Sequence, residues 1–110
     1  SKYSRLSSRN RLTVRQVNVI IDCLTRPENQ STFETFNQRA VLDNALTKLS
    51  WSVYGRETKK YAHLGPGNRM THIQAQRLIW FVDRITPAYK RSNPQVHRVL
   101  GNALRKLKIA

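Results

Sequence analysis

Residues 1–52 and 59–110 align without a gap at a fixed offset of 58, with sixteen identical pairs in fifty-two positions. Unrelated segments of this length would share about three. The densest blocks are Lys2-Tyr3-x-x-Leu6-x-x-x-Asn10-Arg11-Leu12-Thr13 against Lys60-Tyr61-x-x-Leu64-x-x-x-Asn68-Arg69-Met70-Thr71, and Val41-Leu42-x-Asn44-Ala45-Leu46-x-Lys48-Leu49 against Val99-Leu100-x-Asn102-Ala103-Leu104-x-Lys106-Leu107. A chain written twice must fold by a local plan that serves both halves. Neither half is long enough to bury much core alone, so the two are expected to pack together as one compact domain, 1–110, with repeats at 1–52 and 59–110 and a linker at 53–58.

The local plan is helical. Thr13-x-x-Gln16 and Thr71-x-x-Gln74 each have the capping-box pattern, in which the Thr oxygen accepts an N–H of the first turn and the Gln reaches back to the cap. Leu12/Val17 and Met70/Ala75 are spaced for a hydrophobic staple. Apolar residues then recur at Val17, Ile20, Ile21, Leu24 and at Ala75, Leu78, Ile79, Val82, a helical stripe, and Pro27 and Pro87 close these helices. A second helix is expected in each half, capped by Ser31-x-x-Glu34 in the first and by Asn93 before Pro94 in the second. Its stripes are Val41, Leu42, Ala45, Leu46, Leu49 and Val99, Leu100, Ala103, Leu104, Leu107. Four amphipathic helices predict an all-α class: a small helical bundle of two tandem pseudo-symmetric repeats. Tyr3/Leu6 and Tyr61/Leu64 are expected to fold back on the core, the connector to turn at Gly55, and Trp51 to plug the core as large aromatics usually do.

Charge narrows the function. Twenty Lys and Arg against six Asp and Glu give a net charge of +14, and self-repulsion of that size calls for a polyanionic partner. Residues 1–52 hold eight basic and four acidic residues, net +4, whereas residues 59–110 hold eleven basic residues and only Asp83, net +10. The second half is therefore expected to carry more of the contact. The single cysteine, Cys23, aligns with Phe81 and reads as a small core residue; its isolation excludes an intramolecular disulfide and fits a reducing compartment. No run approaches the roughly 18 apolar residues of a membrane span, so a soluble intracellular location (cytoplasm, nucleoid or nucleus) and no membrane partner are expected. The initial Ser suggests a chain processed or excised from something longer.

Two candidate nucleic-acid contacts emerge. On the last helix, Arg98, Asn102, Arg105 and Lys106 share the face opposite the apolar stripe, and Arg and Asn can grip phosphate or read base edges in a groove. The plainer alternative is a solvated charged face. The second candidate is the pair of turns Asn10-Arg11 and Asn68-Arg69, each before a capped helix, where open amides and a guanidinium would hold a backbone phosphate. Gly65 and Gly67 would let that phosphate approach closely. Lys60 and Arg91 add charge near the second half's loops. Catalysis has little support: His63, His72 and His97 have no ligand spacing, no phosphate-cradling glycine loop is present, and no metal or cofactor is expected.

The sequence thus reads as a non-catalytic nucleic-acid-binding protein, with double-stranded DNA preferred over RNA because a repeat can match successive half-sites. The rival is an adaptor that docks an acidic protein partner such as a polymerase subunit. A small metal-free nuclease using the histidines is the third reading.

Overall fold

Threonines start three of the four long helices. In the computed structural model, which describes residues 2–6, 9–30 and 35–110, helix α1 (Val14–Leu24) begins where the Thr13 hydroxyl accepts from Gln16 N and Gln16 Oε1 accepts from Thr13 N. Helix α3 (His72–Ile85) repeats this with Thr71 and Gln74. Helix α2 (Phe36–Val53) is capped by a third box, Thr35 with Gln38. The expected cap at Ser31 to Glu34 lies outside the described residues, and the same Thr-x-x-Gln chemistry just after it supplies the start. A single turn, α4 (Tyr89–Ser92), precedes α5 (Pro94–Ile109), which opens with Pro94 at its first position and Asn93 accepting from Val96 N. Pro27 and Pro87 each sit in a short 3-10 turn that follows α1 and α3.

The stripes read from the sequence are the core. Val17, Ile20 and Leu24 of α1, Leu42, Ala45 and Leu49 of α2, Leu78 and Val82 of α3, and Leu100, Ala103 and Leu107 of α5 are buried together with Leu12, Met70 and Cys23. Each fully buried Leu contributes about 2 kcal/mol relative to exposure. Helix α1 packs on α2 and α5, and α3 packs on α2 and α5. The result is an all-α bundle with a Cα radius of gyration of 13.1 Å, the value of a compact chain of this length. None of the described helices is long and apolar enough to cross a membrane.

The segments before α1 and α3 are exchanged between the halves. Lys2 O accepts from His72 N at 3.1 Å and Ser4 N donates to Met70 O at 3.0 Å; Val14 N donates to Lys60 O at 2.9 Å and Ala62 N to Leu12 O at 3.0 Å. These bonds make two antiparallel bridges, Tyr3 with Thr71 and Thr13 with Tyr61. Each bond has a counterpart at the offset of 58. The first amide of a helix has no intrahelical acceptor, and here the opposite half's extended segment provides one. Leu6 and Leu64 pack against the core as expected, and Tyr3 and Tyr61 reach it by crossing to the start of the other half's helix. Gly55, at φ +69°, turns the connector as expected and is the positive-φ residue among those described.

Trp51 does not plug the core. It is 58% exposed, because two residues past the buried Leu49 is about 200° around a helix. Ser52 takes the inward position instead, its carbonyl accepting from His63 N at 2.8 Å.

Candidate nucleic-acid interface

The Asn-Arg turns are interlocks between the halves. Asn10 is 2% exposed, and its Nδ2 donates to Arg5 O at 3.1 Å and to Lys106 O, near the end of α5, at 3.2 Å. Asn68 repeats the arrangement with His63 O at 3.0 Å and Lys48 O at 3.4 Å, and its Oδ1 accepts from Gly65 N. The first amides of α1 and α3 are taken by Lys60 O and Lys2 O, and the third by the capping threonines. The open amide cluster expected for a phosphate at these turns is thus already occupied by protein. Gly65 does not leave a free approach either: a Cβ there would lie 2.5 Å from the His63 imidazole.

The arginines of the turns remain exposed and are held over aromatic rings. Arg11 lies 4.2 Å from the Tyr61 ring centroid and Arg69 4.4 Å from that of Tyr3. Lys60 and Lys2 approach the same two rings at 5.3 and 5.7 Å. Such cation–π contacts add about 0.5–1 kcal/mol at exposed sites and fix where the guanidiniums point.

The α5 face divides. Arg98 and Arg105 are exposed, Asn102 is half-buried, and Arg105 donates to Asn102 Oδ1. Lys106 turns inward: its Nζ bonds Arg11 O at 2.8 Å and Gln16 Oε1 at 2.9 Å. Burial pushes its pKa below the ordinary lysine value, with Tyr61 opposing that shift and Lys60 adding to it. Lys48 makes the matching pair of bonds to Arg69 O and Gln74 Oε1. Retention of Lys48/Lys106 and Asn10/Asn68 in both halves therefore reflects scaffold.

What the fold gathers is a strip from both halves. Arg11 and Lys60 flank Tyr61; Lys106 ties Arg11 to α5; Asn102 and Arg98 line a cleft with Arg15; and Arg15, Lys59 and Lys60 line the adjacent groove along α1. Arg105 joins through its bond to Asn102, and six cations, Arg11, Arg15, Lys59, Lys60, Arg98 and Arg105, are exposed, with Asp22 and Glu57 also on the α1 groove. No family model, curated protein or solved structure matches this chain.

Arg91 is exposed on α4, and no contact among the described residues joins it to the strip. Arg26, retained opposite Arg84, is paired with Asp22 at 2.6 Å and reaches the Tyr89 hydroxyl. Arg15 was not legible as a site residue, because its neighbours across the cleft belong to α5, far along the chain. On α3, Arg77 and Arg84 lie 5.7 and 4.5 Å from the ring centroid of Trp80. The spacing Ile73-Arg77-Trp80-Arg84 was the signal for this second exposed face. His63, His72 and His97 do not converge, and the described residues hold no group of three or more His, Cys, Asp or Glu suited to a metal ion.

Proposed function

We propose that this chain is a non-catalytic, intracellular nucleic-acid-binding protein that grips the phosphates of double-stranded DNA with the strip formed by Arg11, Arg15, Lys59, Lys60, Arg98 and Arg105. The observation that carries the reading is that Arg15 and Arg98 line one cleft and Arg15, Lys59 and Lys60 the adjoining groove, with Arg11 linked through the Tyr61 ring and Arg105 through Asn102, a grouping of exposed cations from both halves whose repulsion a polyanion relieves. The same reading takes the chain as one domain built from two pseudo-symmetric repeats, 1–52 and 59–110. In support, helix packing, caps, exchanged segments and Asn, Lys and Tyr contacts all recur at the offset of 58. The positions matching Arg15, Arg98 and Arg105 are Ile73, Ala40 and Thr47, so the two equivalent faces differ and DNA engages one of them.

Titration of a fluorescent duplex across salt concentrations tests this. Six phosphate contacts predict a slope of log affinity against log salt of about −5. Arg98→Glu with Arg105→Glu should weaken binding more than Lys48→Gln. Absent binding at low ionic strength, or binding indifferent to salt, would overturn the reading.

A second reading, docking of an acidic protein, is favoured by one observation. Phe36 and Trp51 of α2, in the weakly charged half, are 87% and 58% exposed, and Tyr54, just past the end of α2 in the connector, is 88% exposed. A complex that survives nuclease treatment would favour it over DNA.

A further inference from the structure

Thr13, Arg15 and Gln16 at the start of α1 face Gln95, Arg98 and Asn102 of α5 across a cleft of about 220 Å³. No Asp or Glu lines it, and neither guanidinium makes an ion pair among the described residues. Asp22 and Glu57 lie in the neighbouring groove that Arg15 also borders, without bonding to it. Two like charges on one small cleft repel each other unless an anion lies between them.

A buried donor points to the same ligand. Gln16 is 8% exposed, and its Oε1 is committed to Thr13 N and Lys106 Nζ, both at 2.9 Å. That fixes the orientation of the amide and leaves Nε2 with no partner among the described residues. An unmet buried donor costs about 1–3 kcal/mol. The positions at the offset of 58 give a contrast: Gln74 keeps the same bonds to Thr71 N and Lys48 Nζ, but Ile73 and Ala40 stand where Arg15 and Arg98 do. Arg15 and Arg98, brought to one cleft only by the fold, are both cationic, whereas the residues at the matching positions, Ile73 and Ala40, are both apolar.

We propose that this cleft is a discrete site for one phosphate group, held by the Arg15 and Arg98 guanidiniums with the Gln16 and Asn102 side-chain amides as donors. The inference rests on the nucleic-acid reading for its natural ligand, a backbone phosphodiester, although the chemistry serves a free phosphate equally. Bidentate guanidinium contacts supply the strength, and the two amides supply position. The α1 macrodipole adds to the attraction without being its source.

The test is amide and side-chain NMR of the full chain, titrated separately with inorganic phosphate and with duplex DNA. It compares the wild type with Arg15→Ile/Arg98→Ala, whose new residues are those already present at positions 73 and 40. Phosphate should shift Arg15, the Gln16 Nε2 group and the Asn102 Nδ2 group saturably, and the double variant should abolish those shifts. DNA affinity should fall at least about tenfold, and the salt slope should become shallower by about 2. If phosphate leaves the cleft unshifted, or moves all exposed arginines alike, and the variant binds DNA like wild type, the site is refuted while the nucleic-acid reading stands. If phosphate fills the cleft but neither DNA nor RNA binds, the site stands and the nucleic-acid reading falls. Should the double variant not fold, Arg98→Ala alone, on the exposed face of α5, gives the same readout at half the slope change.

Discussion

Replacing Asn10 by Ala separates an interlock from a ligand contact. The side chain is almost fully buried and its Nδ2 closes two hydrogen bonds, to Arg5 O at 3.1 Å and Lys106 O at 3.2 Å. A neutral hydrogen bond contributes about 1 kcal/mol net, and the substitution leaves carbonyls short of a donor, so the expected loss is about 2–3 kcal/mol. Lys106 O keeps its bond from Ala110 N at 3.3 Å, which holds the figure to that range. With a urea m-value of about 2 kcal/mol/M, the middle of the usual range, the midpoint should drop by about 1–1.5 M with m unchanged. Asn68→Ala should cost less, about 1 kcal/mol, because Asn68 is half-buried and its bond to Lys48 O is long at 3.4 Å. Nucleic-acid affinity of the folded Asn10→Ala protein should stay within about twofold of wild type, since the Nδ2 donor is taken up by two backbone carbonyls. A midpoint within experimental error of wild type, combined with a loss of affinity, would refute the interlock and restore Asn10 to the binding site.

The remaining predictions concern backbone, charge and a thiol. Gly55→Ala should destabilise by about 1–2 kcal/mol, because φ of +69° strains an L residue even though nothing lies within 4 Å; Gly101→Ala, inside α5 and facing open space, should stabilise by about 0.5–1 kcal/mol. Both are read by thermal or urea unfolding, and matching signs would contradict the backbone argument. Lys106→Met should cost about 2 kcal/mol, for two charge-assisted bonds in a partly buried place, whereas exposed Lys108→Met should change stability by less than about 0.5 kcal/mol; equal effects would deny Lys106 its inward role. Burial raises the Cys23 thiol above its reference value of 9.0, with the Tyr89 hydrogen bond opposing. Above that pH the unfolded chain sheds a proton the native chain keeps, so the stability from the neutral thiol is complete below pH 9.0 and is lost as pH rises through the folded value. The urea midpoint of wild type should therefore fall towards that of Cys23→Ala in alkali; a constant gap would contradict it.

Legibility followed the range of the interaction. The Thr-x-x-Gln boxes at Thr13 and Thr71, the Asn93-Pro94 start and the Gly55 turn are decided within four residues, and the apolar stripes declare their own inward face, so these were readable from the chain. Trp51 shows the limit of residue type as a guide: aromatic size favours burial, but its angle from the buried Leu49 turns it outward. The interlocking bonds of Asn10 to Lys106 O, of Asn68 to Lys48 O and of Lys106 to Arg11 O and Gln16 Oε1 join the two halves, so no local pattern marks them. Arg15 escaped notice for the same reason.

The sequence by itself determined an all-α chain with a repeated plan, a strong positive charge and a helix-by-helix choice of buried face, since each depends on local periodicity, capping and composition. Only the tertiary structure decided that the segments before α1 and α3 cross between the halves, that the retained Asn and Lys residues are spent on locking them, and that Arg15 of the first half meets Arg98 of the second. The physical reason is the exchange itself. Unmatched amides at each helix start take carbonyls from the opposite half, and that crossing sets which charges become neighbours, a relation no local spacing encodes.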